Sequence, residues 1–373
     1  MSSRQTIPPI PVVVLSGFLG SGKTTVLNHL LAHRGGTRIG VVVNDFGSIE
    51  IDAMSVAGQL GDSMVSLGGG CLCCAVDGSE LDAYLEKLAA PVHRIDVIVI
   101  EASGLAEPQE MVRMLVANEN PAVSYGGLVQ VVDAAEFDAT RTAHPETDRH
   151  LAVADLVVLN KTDRVDPAEQ ARIEGLLATL CAPGTPVIGA DHGRIDPELL
   201  FDRRPWTETR GQLSFEDLLA EAEDHGHDHA THAHAAYETV EFVSGQALSP
   251  RRFIDFLDRR PAGLYRIKGF VHFGVPGHEE KYEVHAVGRF LRFAPGPWER
   301  GEERLTQLVL IGSGTDGPGL LRELEACRED APQQLGPESM WGVLRYVARP
   351  SEPGPQAPDS EDRTGTAGTA GTA

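Results

Sequence analysis

Between residues 12 and 205, short aliphatic and β-branched runs alternate with longer stretches of helical pattern. The runs are VVVL (12–15), IGVVVN (39–44), VIVIE (97–101), LVQVVD (128–133), DLVVLN (155–160) and PVIGA (186–190). They are nearly continuous in apolar character, as strands buried on both faces are, and crossovers of this length predict βαβ units. The expected fold class over residues 11–205 is α/β, a mainly parallel sheet with helices on both faces.

The pattern then changes. Residues 206–236 read as a linker, because EAEDHGHDHATHAHAA (221–236) offers almost no large apolar side chain. Beyond it come ETVEFV, a helical SPRRFIDFLDRR, then LYRIKGFVHF, KYEVHAV, RFLRF, RLTQLVLIG and a closing helix GLLRELEAC. This succession predicts a smaller α+β domain with an antiparallel sheet over 237–331. Residues 1–10 form an N-terminal extension. The stretch 332–373, rich in proline and glycine and ending GTAGTAGTA, is expected to be a mostly disordered tail.

A chain of 373 residues, 42% hydrophobic and 23% charged, suits two globular domains. A net charge of −22 repels phosphate backbones, so nucleic acid is not an expected partner. MSSRQTIPPIP lacks the features of a secretory signal, and no apolar run approaches the ~18 residues of a membrane span. The five cysteines are too few and too uneven for a disulfide scaffold. A cytoplasmic protein with reduced thiols and no membrane partner is expected, and a homodimer is left open.

GFLGSGKTT, between the strand VVVL and the helical TVLNHLLAH, carries the strongest chemistry. Gly17, Phe18, Leu19, Gly20, Ser21, Gly22, Lys23, Thr24 and Thr25 fit a phosphate-binding loop. Its glycines let backbone N–H groups turn inward around a β-phosphate at a helix N-terminus. Lys23 would span the β- and γ-phosphates, and Thr24 would offer its hydroxyl to Mg²⁺. The fold class thereby narrows to a P-loop NTPase. Asn160, Lys161 and Asp163 close the strand DLVVLN as N-K-T-D, at the edge where ligands of open α/β sheets bind. A carboxylate there accepts from both N1–H and N2–H of guanine, which favours GTP over ATP.

Two further acids follow strands at that edge. Glu101 stands where Mg²⁺-binding NTPases carry an acid, and Gly104 follows it in a place to meet the γ-phosphate through its N–H. Asp45 opens DFGSIEID, in the position of a switch loop. Lys23, Thr24, Asp45 and Glu101 are the candidate catalytic set, with Thr24 and Glu101 on Mg²⁺.

In the order GFLGSGKTT, VNDFGSIEID, GGGCLCC, VIEASGLAEP, NKTD, the chain resembles the CobW-like GTPases, metal-trafficking relatives of the nickel-insertion GTPases of urease and hydrogenase maturation. The likeness extends to RIKGFVHF and LVLIGSGTDGPGLLRELEAC in the rear domain, and so covers about residues 10–330. It implies a GTPase whose C-x-C-C motif, here Cys71, Cys73 and Cys74, binds a transition metal for delivery to a client metalloprotein. That metal is usually Zn²⁺ and in some members Co²⁺. Asp45 departs from the family, most of whose members carry Glu there.

The cysteines have the right chemistry for that role. In an irregular loop freed by Gly68, Gly69 and Gly70 the three sulfurs can converge, and thiolates select Zn²⁺, Cu⁺ or Co²⁺ over Mg²⁺. A vicinal Cys73–Cys74 disulfide and plain packing are the competing readings. A structural zinc site is normally closed by four ligands; three leave a place for Asp45, Glu50, a histidine, water or the client. The linker adds His225, His227, His229, His232 and His234, imidazoles that bind Zn²⁺, Ni²⁺, Co²⁺ and Cu²⁺ with little discrimination, or serve only as a polar spacer.

Cys181 and Cys327 read as packing residues, as do Trp206 and Trp298. His272 and His285 fall on or beside rear-domain strands, where they approach each other across a sheet or lie on the surface. The expected function is a slow GTPase that holds metal in its GTP-bound form and releases it on hydrolysis. A cobalt-handling GTPase of cobalamin biosynthesis, a dedicated metalloenzyme activator, and a metal store that only senses nucleotide are the alternatives.

Overall fold

The computed structural model describes residues 9–43, 78–104, 106–201, 237–259 and 261–347. Asp45, the three motif cysteines, Trp206 and the linker histidines lie outside the described residues.

Strands β1 (Ile10–Ser16), β2 (Ile39–Val43), β3 (Val97–Glu101), β4 (Val123–Asp133), β5 (Leu156–Asn160) and β6 (Val187–Ala190) form one sheet in the order β2-β3-β1-β4-β5-β6. Every pairing is parallel. The period of two along each strand divides the side chains between two covered faces. Val13 and Leu15 pack with Val26, Leu27 and Leu30 of helix α1 (Lys23–Ala32). Val12 and Val14 face the other way, toward Leu81, Leu85 and Leu88 of α2 (Gly78–Leu88) and Met111 and Leu115 of α3 (Pro108–Ala117). Two-sided burial is why these strands read as unbroken apolar runs. Helices α4 (Phe137–Ala143), α5 (Thr147–Ala152) and α6 (Pro167–Leu180) complete the layer beside β5. Asp166 caps α6 by accepting from Glu169 N–H at 2.8 Å, with Pro167 in the first turn.

The second sheet is antiparallel. Strands β7 (Glu238–Ser244), β8 (Leu264–Val271), β9 (Lys281–Val287), β10 (Phe290–Gly296) and β11 (Thr306–Gly312) run in the order β10-β9-β8-β11-β7. Helices α7 (Pro250–Arg259) and α8 (Gly317–Glu325) supply its cover, around the buried rings of Phe253, Phe256, Phe273 and Phe293. The segment after Ala331 does not behave as a disordered tail throughout. Short turns and helix α9 (Trp341–Leu344) carry it to Val347, and Met340 and Val343 are fully buried in this second core. Two apolar side chains with a core to enter outweigh the local proline and glycine content.

The two sheets meet at the start of β5. Asp155 accepts from Tyr125 Oη at 2.5 Å, from Leu128 N–H at 2.9 Å and, across the boundary, from Arg289 N–H at 3.4 Å. Gly288, at φ +49°, passes so close that a Cβ would collide with that carboxylate. His285 stands opposite Lys268 in β8 and reaches the Tyr125 carbonyl at 3.0 Å, whereas the His272 ring packs edge-on against Trp298. The two histidines therefore serve different contacts. Among the described residues no helix is long and apolar enough to cross a membrane.

Candidate nucleotide site

Parallel pairing sends the loops after β1, β3, β4 and β5 out of one edge, and the strand order reverses beside β1. Such a switch point opens the crevice in which α/β sheets bind ligands. The loop 17–22 occupies it. Gly17 has φ +146° and lies where a Cβ would come 2.3 Å from the Val131 carbonyl oxygen of β4. Gly22 has φ +103°, and a Cβ there would lie 2.3 Å from Asn160 Nδ2. Both positions demand glycine for the backbone angle and for the close approach. Helix α1 starts immediately after, so its first amides point without helical partners toward the loop.

Lys23 is buried and donates to the carbonyl oxygens of Gly17 at 2.8 Å and Phe18 at 3.3 Å. Its ammonium thus sits inside the cradle. Thr24 Oγ1 donates to Glu101 Oε1 at 2.8 Å. Glu101 is at the end of β3, in register with Leu15, and is buried. Gly104 lies over the loop, where a Cβ would meet Leu19 N at 2.8 Å. The phosphate-loop residues, Glu101 and Gly104 therefore lie in one cluster.

The N-K-T-D segment is tied to the same loop. Asn160 donates from Nδ2 to the Ser21 carbonyl and accepts at Oδ1 from Gly193 N–H, both at 2.9 Å. Lys161, with φ +62°, donates to the Gly20 carbonyl at 2.7 Å and pairs with Asp133 at 2.5 Å. Thr162 Oγ1 donates to Asp191 Oδ1 at 2.5 Å. Asp163, one-third exposed, has His192 Nδ1 at 3.9 Å.

Sequence reading missed Asp133 and the turn Asp191–Gly193. Asp133 ends the run LVQVVD, and the turn follows PVIGA at the same edge. An acid or glycine at the carboxyl end of each parallel strand was the available signal. A further group lines the pocket beside Gly17 and Gly104, namely Gln130, Glu107, Arg149 and His150, with His150 Nε2 3.2 Å from Glu107 Oε2.

A phosphate loop, an acid on its first helical threonine and an N-K-T-D turn clamped to that loop, on a six-stranded parallel sheet, define a P-loop nucleotide-binding protein with an appended α+β domain. Residues 11–187 match the family model described as CobW/HypB/UreG, nucleotide-binding domain, and residues 237–328 match the Cobalamin synthesis protein cobW C-terminal domain. The chain belongs to the CobW family. It is similar to a zinc chaperone CobW of Sinorhizobium sp, 31% identical over 345 residues, covering 83% of this chain and 95% of the relative. It is likewise similar to a zinc chaperone CobW of Pseudomonas aeruginosa, 31% identical over 368 residues, covering 86% and 92%. Among solved structures, the Zn(II)-bound YjiA GTPase from E. coli aligns at 22% identity and a TM-score of 0.41, covering 87% of this chain and 100% of that one.

Proposed function

We propose that this chain is a GTP-hydrolysing metallochaperone that holds a transition metal, zinc first, at Cys71, Cys73 and Cys74 and passes it to a client metalloprotein. The observation that carries the nucleotide half is the Asn160–Lys161 clamp, which fastens the base loop to the phosphate loop at Ser21 and Gly20. The metal half rests on the thiolate chemistry of C-x-C-C and on the likeness to relatives that are zinc chaperones.

In this reading the loop amides of 17–25 cradle the β-phosphate, and Lys23 exchanges its carbonyl partners for β- and γ-oxygens. Thr24 and Glu101 are hard oxygen donors 2.8 Å apart, a set that fits Mg²⁺. When bound there, Mg²⁺ would neutralise charge developing on the β- and γ-phosphates. The Gly104 amide meets the γ-phosphate, and Asp163 accepts from guanine. Turnover is slow, and the acids Asp45 and Glu101 are the candidates beside the attacking water. Presence of the γ-phosphate orders the segment between β2 and β3 that carries the cysteines, and hydrolysis loosens it.

Two measurements test the halves separately. Zn²⁺ affinity measured without nucleotide, with GDP and with a non-hydrolysable GTP analogue should be highest with the analogue; equal affinity in all three overturns the coupling. Asp163→Asn should weaken GTP binding by about 10- to 100-fold, the cost of an unmatched hydrogen-bonded pair, and improve xanthosine triphosphate. Unchanged guanine preference removes Asp163 from that role.

A further inference from the structure

A second cluster of imidazoles lies within the described residues, far along α1 from the phosphate loop. His29 and His33 stand one helical turn apart, at the spacing that puts two side chains on one face. Their ring centroids are 4.1 Å apart, with planes inclined at 33°. Each ring has one nitrogen committed to a backbone carbonyl: His29 Nε2 to Ile195 at 3.0 Å, and His33 Nδ1 to His29 at 2.9 Å. A carbonyl oxygen only accepts, so both committed nitrogens carry the proton. The tautomers are therefore set, and lone pairs remain on His29 Nδ1 and His33 Nε2.

This is the arrangement by which metal-ligating histidines are oriented, with the outer N–H held by a carbonyl and the inner nitrogen left to donate. Two histidines four apart on a helix face are also the spacing that zinc-binding helices use. Burial, followed by the proximity of His33 and Arg194, holds His29 below the usual histidine range.

We propose that His29 and His33 form a two-imidazole site for a borderline transition-metal ion such as Zn²⁺ or Ni²⁺, separate from the cysteine motif. Among the described residues no group of three or more histidine, cysteine or acidic side chains could hold a metal. Two protein ligands leave the remaining positions to water, which makes the site exchangeable where a structural zinc site is closed. Its location suits cargo. The loop that fixes His29 runs from Ile195 to Phe201, the last described residue before the histidine-rich stretch of the sequence. Tyr237, the first described residue after that stretch, donates to Asp196 at 3.1 Å and to Glu198 at 3.2 Å on the same loop. The site rests on neither GTP hydrolysis nor the C-x-C-C assignment.

The test is carbethoxylation of histidines by diethyl pyrocarbonate in the full chain, read residue by residue by mass spectrometry, with and without Zn²⁺. His29 and His33 should be protected together, by about 100-fold, the lower end of what two linked ligands gain over one. In His29→Gln, whose amide can still donate to the Ile195 carbonyl, protection of His33 should vanish; in His33→Asn, protection of His29 should vanish. Protection of either ring that survives loss of the other overturns the site, as does protection confined to His225–His234. Because His29 is half-buried, a Cu²⁺ titration followed by electron paramagnetic resonance gives a second readout. A two-nitrogen equatorial signature should be present in the full chain and reduced in both variants; a spectrum unchanged by either substitution also overturns it. Unchanged thermal melting of the variants separates loss of the ligand from loss of fold.

Discussion

The two sheets are built from equally buried apolar residues, yet they spend their buried polar groups differently. In the parallel sheet Lys23, Glu101 and Asn160 are buried at one edge and each bonds within Gly17–Thr24, Asn160 also accepting from Gly193 N–H. In the antiparallel sheet the buried polar groups serve the chain itself: Thr306 accepts from His272 N–H at 3.0 Å, Ser244 Oγ donates to the Gln246 carbonyl at 2.8 Å, and Arg266 reaches the Leu200 carbonyl at 3.3 Å. Polar burial that converges on a crevice marks chemistry, whereas polar burial that satisfies strand ends and neighbouring loops marks architecture. The rear domain, as far as its described residues go, supports and contacts the nucleotide domain.

Three substitutions or treatments probe that contrast. Phe253→Ala, which empties a ring position between Phe256, Phe273 and Phe293, should cost about 3–5 kcal/mol by chemical denaturation. Nucleotide affinity of the folded fraction should stay within about twofold, as for distant independent sites. A parallel loss of affinity would dissolve the distinction between the two sheets. Lys23→Ala should lower GTP turnover by about 100- to 1,000-fold, the usual cost of one preorganised charge-stabilising donor, with little effect on melting. Retained turnover would show that the cradle of carbonyls around this ammonium is structural. The smallest effect concerns thiols. Burial pushes Cys181 and Cys327 up to about 11, so the reactive thiolate is scarce at pH 8 and grows only as pH rises toward that value. Iodoacetamide on the folded protein should therefore spare these two. Labelling of Cys327 at pH 8 would mean that the rear core opens.

Much of this was legible in the sequence because local signals and tertiary demands agree. Continuous runs such as VIVIE become two-faced strands, and GFLGSGKTT needs its glycines for contacts with Val131 and Asn160 that lie elsewhere in the chain. The early part of β4 was hidden. The run LVQVVD marks only residues 128–133, but the strand starts at Val123, and Gly126 and Gly127 continue it through a register shift opposite Val12 and Val13. At Gly127, φ +113°, a Cβ would come 2.8 Å from Tyr265 Oη of the second sheet. Glycine is required there by a neighbour the local pattern cannot display. Met340 and Val343 were obscured in the same way, by prolines around apolar residues whose partners are distant. The Asp133–Lys161 pair joins two strand ends that only the strand order brings together.

Strand β5 is five residues long, about 17 Å from end to end at the usual rise. Asp155 precedes it and is held by Tyr125 and by the backbone of Arg289; Asn160 ends it and is held by Ser21 and Gly193. Mechanically it is a strut pinned at both ends. Anyone transplanting this nucleotide site into another protein would have to carry over the far pin as well, because the N-K-T-D turn inherits its position from a carboxylate at the opposite end of the strand.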